Sequence, residues 1–277
     1  MTSLLSVLKP QFPAYATFAD KLGWWLLRGL CVALLVFLLL PILVIVPLSF
    51  SASSFLAYPM PGWSLQWYEH LFSAPEGSRA ARNSFIVAPA ATLLATVLGT
   101  LAAVGLARTN FAGKGLLMSV LIAPMVVPIV VVGVACYLFF ARLGLADSYV
   151  GLIVVHAALG APFVLTTVLA TLQGFNHNLV RASLSLGAGP VETFFRVTLP
   201  VIAPGVISGA LFAFATSFDE VVVTLFVAGP EQVTLPRQMF TGIRENISPT
   251  IAAVATLLTI FTTGLMLVLE WIGGRRR

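Results

Sequence analysis

The sequence predicts an all-α polytopic membrane protein with six transmembrane helices, and three observations predict it. Only 9% of the 277 residues are charged while 59% are hydrophobic, whereas about a quarter of a typical soluble sequence is charged. Mean hydropathy is +1.01. Apolar runs long enough to cross a bilayer, which takes about 20 residues, recur at 29–50, 83–107, 115–141, 149–172, 201–227 and 248–269. A chain with so little charge requires lipid as its solvent. The same composition excludes a disordered chain, a collagen-like repeat and a disulfide scaffold.

The elements follow in order. Residues 1–24 read as a cytoplasmic extension, with Pro10 and Pro13 ahead of Trp24 and Trp25 as an interfacial anchor. The membrane domain covers 25–272, and 273–277 form a basic cytoplasmic tail. The first apolar run is much longer than a signal-peptide core, and no small-residue cleavage site follows it, so it is expected to stay as a span. Between the first two spans, 51–82 is rich in Pro, Trp and Tyr, including Tyr58, Trp63, Trp67 and Tyr68. Such residues favour the membrane interface. Prolines inside the spans, among them Pro41, Pro47, Pro89, Pro124, Pro128, Pro162 and Pro204, predict a bent bundle, because each removes a helical hydrogen bond.

Charge sets the direction. Lys9, Lys21, Arg28, Arg108, Lys114, Arg181, Arg196 and Arg275 to Arg277 fall on one side of the six spans; Arg79, Arg82, Arg142, Arg237 and Arg244 fall on the other. Cytoplasmic segments keep the Lys/Arg excess, so both termini are expected in the cytoplasm. The net charge of +5 is spread along the chain rather than gathered on one helix, which argues against nucleic-acid binding. Cys31 and Cys136 lie in apolar runs and act as small hydrophobes, so neither a disulfide nor a metal site is expected.

The segment 173–200 differs from the rest. Leu179 to Leu186 reads as a short amphipathic helix, Gly187 to Pro190 as a tight turn, and Val191 to Leu199 as a second short helix halted before Pro200. On pattern alone, a helix pair that merely joins two spans fits equally well. The spacing of Ala182, Gly187, Val197, Leu199 and Pro200, however, resembles the cytoplasmic loop signature of ABC importer permeases: Glu-Ala-Ala, three residues, Gly, nine residues, Ile, any residue, Leu-Pro. Arg181 stands where that family has Glu, Ser183 where it often has Ala, and Val197 replaces Ile. Ser217 to Val223, Phe226 to Pro230, Leu235-Pro236 and Ala253 to Leu258 extend the resemblance toward the spermidine/putrescine branch.

The resemblance implies the type I ABC importer permease fold. It also implies Arg181, Ala182, Ser183, Leu186, Gly187, Ala188, Val197, Leu199 and Pro200 as the ATPase-coupling set. The implied partners are a second, non-identical permease, two ABC ATPases and a periplasmic substrate-binding protein, in a bacterial inner membrane. No G-x-x-x-x-G-K-[ST] loop occurs in the chain, so no cofactor is expected on it, and ATP and Mg belong to the partner ATPase. No catalytic residues are expected.

Asp219 and Glu220 are the acidic residues well inside an apolar run, where insertion costs about 2.5–3.5 kcal/mol each. A continuous helix would put Thr216, Glu220 and Thr224 on one face, with Asp219 about 100° away. With Ser217 they form the expected substrate pathway, suited to a cation; pairing with Arg237, Arg244 or a partner's base is the competing structural role. His156 lacks a second titratable group in its span and reads as a hydrogen-bonded structural residue, and His177 as a surface one. Gly205 and Gly209 read as a close-packing face. A secondary transporter or channel would need its own coupling-ion site and usually an internal repeat. A permease for ferric iron, thiamine, phosphonate or opine would carry the same loop. An intramembrane enzyme lacks its motifs.

Overall fold

A computed structural model describes residues 12, 15, 17–245 and 249–274. The first helix, α1, spans Phe18–Leu48. It opens on a reciprocal cap: the Thr17 hydroxyl accepts from the Asp20 amide at 3.3 Å, and the Asp20 carboxylate accepts from the Thr17 amide at 2.8 Å, satisfying two donors the helix would otherwise leave open. The helix therefore takes in Trp24 and Arg28, whose guanidinium lies 3.8 Å from the indole centroid. Exposed apolar side chains cover α1 along its length, the surface that lipid solvates.

The core is built from three long helices. A short helix, α2 (Gln66–Ser73), leads into α3 (Pro75–Arg108). Tyr149–Gln173 forms α6, and Leu199–Phe218 forms α9. Ala91 and Ala95 of α3, Ala157, Val164 and Val168 of α6, and Ile202 and Ala213 of α9 meet in one buried cluster. Small residues let these backbones approach closely. A Cβ on Gly99 would fall 2.7 Å from Val164 Cβ, and one on Gly209 2.7 Å from Val164 Cα. Gly205 lies equally close against Thr171, so Gly205 and Gly209 do form a close-packing face, directed at α6.

Two expected spans are broken. The third consists of α4 (Lys114–Val126) and α5 (Ile129–Leu143), bent by 105° at Val127 and Pro128. Pro128 removes an amide donor and drives Val127 out of the helical region to φ −69°, ψ 134°. The fifth stops at Phe218; Asp219 to Val221 are non-helical, and α10 (Val222–Val227) resumes the run and packs on α5, where Gly133 admits the Phe226 ring. Thr216, Glu220 and Thr224 consequently do not share a continuous helical face.

An amphipathic helix, α11 (Leu235–Glu245), precedes α12 (Pro249–Gly274), which packs on α1. Among the described residues, four helices are long and apolar enough to span a bilayer; the bent α4–α5 pair makes a fifth, and the apolar part of α12, Pro249–Leu265, is shorter. The six expected spans correspond in position to α1, α3, the bent α4–α5 pair, α6, α9 and α12. Lys9, Pro10, Pro13, Ile247, Ser248 and the Arg275–Arg277 tail lie outside the described residues, as does the side chain of Arg244.

α3 and α6 run parallel and α9 antiparallel to both, so their termini gather at two distinct ends. At one, Asn83 is fully buried; its Nδ2 donates to the Glu231 and Val233 carbonyls, both at 2.8 Å, and its Oδ1 accepts from the Tyr149 hydroxyl at 2.8 Å. Arg79 pairs with Glu231 at 2.8 Å, and Arg237 donates to the Ala228 carbonyl at 2.6 Å. Burial lowers the pKa of Arg237, with Asp147 acting the other way. At the opposite end, Arg108 donates to Thr198 at 3.5 Å, beside the segment that carries Arg181 and Arg196.

Candidate functional site

Two sites lie along the fifth span, one at its start and one at its break. The start is a helical knob. Asn178–Ser185 forms α7, and Gly187 turns the chain at φ +90°, a conformation that costs residues with a Cβ. Pro190–Thr193 then opens α8, with proline in the first turn, where its missing amide is harmless. The Ser183 and Thr193 hydroxyls lie 2.9 Å apart and pin the two arms together, and Glu192 pairs with Arg196 at 2.9 Å.

The second arm does not halt before Pro200. Phe194–Thr198 widens into a π turn, with the Leu199 amide bonded to the Phe194 carbonyl, and the chain continues into α9. A π turn hydrogen-bonds five residues back instead of four, so the ladder passes the proline without a break. Pro190–Phe218 is consequently one 29-residue helical run.

Of the expected coupling residues, Arg181, Ala182, Leu186 and Gly187 are exposed on the knob, and Leu186 is 89% exposed. Ser183 and Ala188 are half-buried. Val197 and Leu199 are half-buried at its root, and Leu199 packs on the main core, while Pro200 is exposed. Arg181 forms no ion pair among the described residues. Leu184 and Val191, the latter 70% exposed, complete an apolar tip with Leu186. They escaped the motif reading, although apolar side chains flanking a turn in a polar loop were the available signal.

The second site is the break. Asp219 is exposed and Glu220 half-buried. The Glu220 carboxylate accepts from the Val223 amide at 2.8 Å, which caps the restarting helix. Among the described residues neither acid has an ion-pair partner: Arg237 is committed to backbone carbonyls, and the ion pairs present involve Glu231 and Glu192. Thr216 is half-buried, while Ser217 and Thr224 are buried and turn onto His156 at 2.9 and 3.1 Å. The hydrogen-bonded structural reading of His156 holds.

Next to the break stands an aromatic cluster. Phe214 stacks on Phe218 at 5.3 Å, Phe261 lies 5.1 Å from Phe218, and Phe85 lies 5.6 Å from Phe218 and 5.2 Å from Phe261. Phe85 is exposed on one side. Such ring faces attract cations. The (i, i+4) pair Phe214/Phe218 was visible in the sequence; its meeting with Phe85 and Phe261 required the fold. Among the described residues no cluster of three metal-ligating side chains occurs.

The helical architecture, with its long apolar helices, is that of an integral membrane protein. The model of the binding-protein-dependent transport system inner membrane component matches residues 95–275. The chain belongs to that family, a membrane transport component rather than an enzyme. It is 31% identical to the spermidine/putrescine transport system permease protein PotC of Haemophilus influenzae over 236 residues, covering 85% of this chain and 91% of that one. To PotC of Escherichia coli K12 it is 30% identical over 251 residues, covering 91% and 95%. To the putrescine transport system permease protein PotI of the same organism it is 34% identical over 242 residues, covering 85% of each. Among solved structures, a bacterial ABC transporter involved in alginate import aligns with a TM-score of 0.76 at 13% identity, covering 93% of this chain and 99% of that one. A second structure, of the alginate transporter in complex with an alginate pentasaccharide-bound periplasmic protein, aligns at 0.66 and 18% identity, covering 92% and 93%. These two likenesses establish the fold.

Proposed function

We propose that this chain is the permease of an ATP-driven importer for polyamines. It works beside a second, non-identical permease, with two ATPases that hold ATP and Mg and an extracytoplasmic binding protein, and both its termini face the cytoplasm. The observation that carries the substrate class is the break at Asp219 to Val221: two acids without an ion-pair partner among the described residues, at the C-terminal end of α9. A helix C-terminus adds roughly half a negative charge to theirs. An ammonium group about 4 Å from one carboxylate gains roughly 4 kcal/mol at an effective dielectric near 20, and the adjoining phenylalanine faces suit the charge and methylenes of a polyamine alike. The names of the PotC and PotI relatives point the same way.

Energy enters at the other end of the same run. The apolar tip of Leu184, Leu186 and Val191 fits a cleft on an ATPase, and motion there passes along Pro190–Phe218 to the break. That run of 29 residues is about 43 Å long at roughly 1.5 Å per residue. The test is uptake of labelled spermidine and putrescine into proteoliposomes holding the complete complex and its binding protein. ATP-dependent accumulation is expected; its absence for both compounds would refute the substrate assignment.

A further inference from the structure

His156 is 1% exposed, and nothing in the transport scheme above uses it. It projects from the N-terminal third of α6 and reaches both sides of the break. Nδ1 lies 2.9 Å from the hydroxyl of Ser217, in the last turn of α9, and Nε2 lies 3.1 Å from the hydroxyl of Thr224, in the first turn of α10. The Thr224 hydroxyl also lies 3.1 Å from the Glu220 carbonyl. In either tautomer the imidazole donates from one nitrogen and accepts at the other, so it bridges the two hydroxyls. The surroundings are apolar: Leu152, Val155 and Leu159 of α6, with Val223 and Val227 of α10, are buried in the adjoining cluster. Both hydroxyls are buried and the ring is a hydrogen-bond partner of each, with the Glu220 carbonyl a second partner of Thr224.

We propose that His156 is the positioning residue of the transport pathway, a rigid strut that holds the ends of α9 and α10 in fixed register and so aims Asp219 and Glu220. The inference rests on the reading of those acids as the cation contact. Imidazole suits the task because it presents a donor and an acceptor on opposite edges with no rotatable bond between them. Glu220 is tied twice, through its carbonyl to Thr224 and through its carboxylate to the Val223 amide. A shift of Thr224 therefore moves the acid directly. His156 has no role in touching cargo; it acts through the break.

The test uses the full complex in proteoliposomes, with Cys31→Ala and Cys136→Ala as background. Two readouts are compared for His156→Leu, His156→Gln and Thr224→Val. The first is the split between half-saturating spermidine concentration and maximal uptake rate. The second is the rate at which a charged, impermeant thiol reagent modifies the Asp219→Cys variant, which reports the geometry of the break whatever the cargo. His156→Leu and Thr224→Val are expected to raise the half-saturating concentration about tenfold with less than about a twofold change in maximal rate, the signature of lost substrate positioning. They are also expected to change the modification rate at position 219 by at least about fivefold. His156→Gln, which again offers a donor and an acceptor, is expected to recover most of both.

Unchanged readouts in an assembled His156→Leu complex would overturn the proposal. So would a His156→Gln complex no better than Leu whose defect tracks only the amount assembled. Should His156→Leu fail to assemble, Thr224→Val, which at constant volume removes the hydroxyl that contacts both His156 and the Glu220 carbonyl, decides on the same two readouts. If Asp219→Asn and Glu220→Gln transport normally while modification at 219 still depends on His156, the cargo assignment fails and the strut stands. If those acids are needed for uptake and modification is indifferent to His156, the strut fails and the assignment stands.

Discussion

Replacing Gly187 separates the shape of the knob from its contact with a partner. At φ +90° a residue with a Cβ loses about 1–2 kcal/mol, and Asn, which tolerates this region, loses less. Among the described residues, its two chain neighbours aside, no heavy atom lies within 4 Å of the position a Cβ would take. The cost to this chain is therefore the backbone term alone, the same for Ala and Trp. At an ATPase surface the two differ, because the new side chain emerges beside the exposed Leu186 at the apolar tip. Gly187→Ala and Gly187→Trp are expected to insert and melt alike, while Trp lowers ATPase association at least about tenfold, or roughly 1.4 kcal/mol, and abolishes uptake. Gly187→Asn should retain the turn and fall between them. Affinity capture of the ATPase by the tagged permease, read beside uptake, measures the difference. Wild-type association and transport in a well-expressed Gly187→Trp complex would refute the reasoning.

Further outcomes follow from the packing and the orientation. Asn83→Ala strands the Val233 carbonyl and takes one partner each from the Glu231 carbonyl and the Tyr149 hydroxyl, which keep a 3.4 Å contact with each other; at about 1–3 kcal/mol for a buried group left unsatisfied, the melting temperature in detergent should fall by several degrees, and a loss no larger than for an exposed-site control such as Ser73→Ala would contradict the assignment. Gly209→Val drives two γ-methyls into the α6 backbone at Val164, where overpacking typically costs about 1–3 kcal/mol; thermal stability should drop more than for Gly105→Val, whose site has, among the described residues, no neighbour within 4 Å beyond its own helix. For topology, Ser73→Cys, exposed at the end of α2, should react with an impermeant reagent from the periplasmic face, while a cysteine added after Arg277 should not; labelling of the latter from that face would reverse the orientation.

Much of this architecture was legible in the sequence because lipid imposes a simple code. Apolar runs located the helices, and the glycine of the loop signature marked the one turn there that requires positive φ. What was not legible depended on partners distant in the chain. A run of apolar residues carries no record of a bend, so Pro124 and Pro128 announced distortion without its 105° size. Pro200 looked like a helix stop because a π turn leaves no signature in composition. Asp219 and Glu220 looked like members of a continuous helix, yet their own hydrogen-bonding preferences open it: Glu220 caps the next helix instead of extending the previous one. His156 appeared isolated because its partners lie 61 and 68 residues away. Asn83, unremarked in the sequence, pins the loop at Glu231 and Val233 through contacts 148 and 150 residues distant.

The charge of Asp219 and Glu220 is the most direct test of the proposed cation pathway. Asp219→Asn and Glu220→Gln keep the size and acceptor oxygen of each side chain, so the cap on Val223 can persist while the field felt by an ammonium group disappears. Assembly of the complex and uptake of labelled spermidine should be measured on the same preparations. Assembly at wild-type level with uptake reduced about tenfold or more, as loss of roughly 1.4 kcal/mol of cation stabilisation requires, is the predicted result. Unchanged uptake in both variants, or a loss of uptake fully explained by loss of assembled complex, would contradict it.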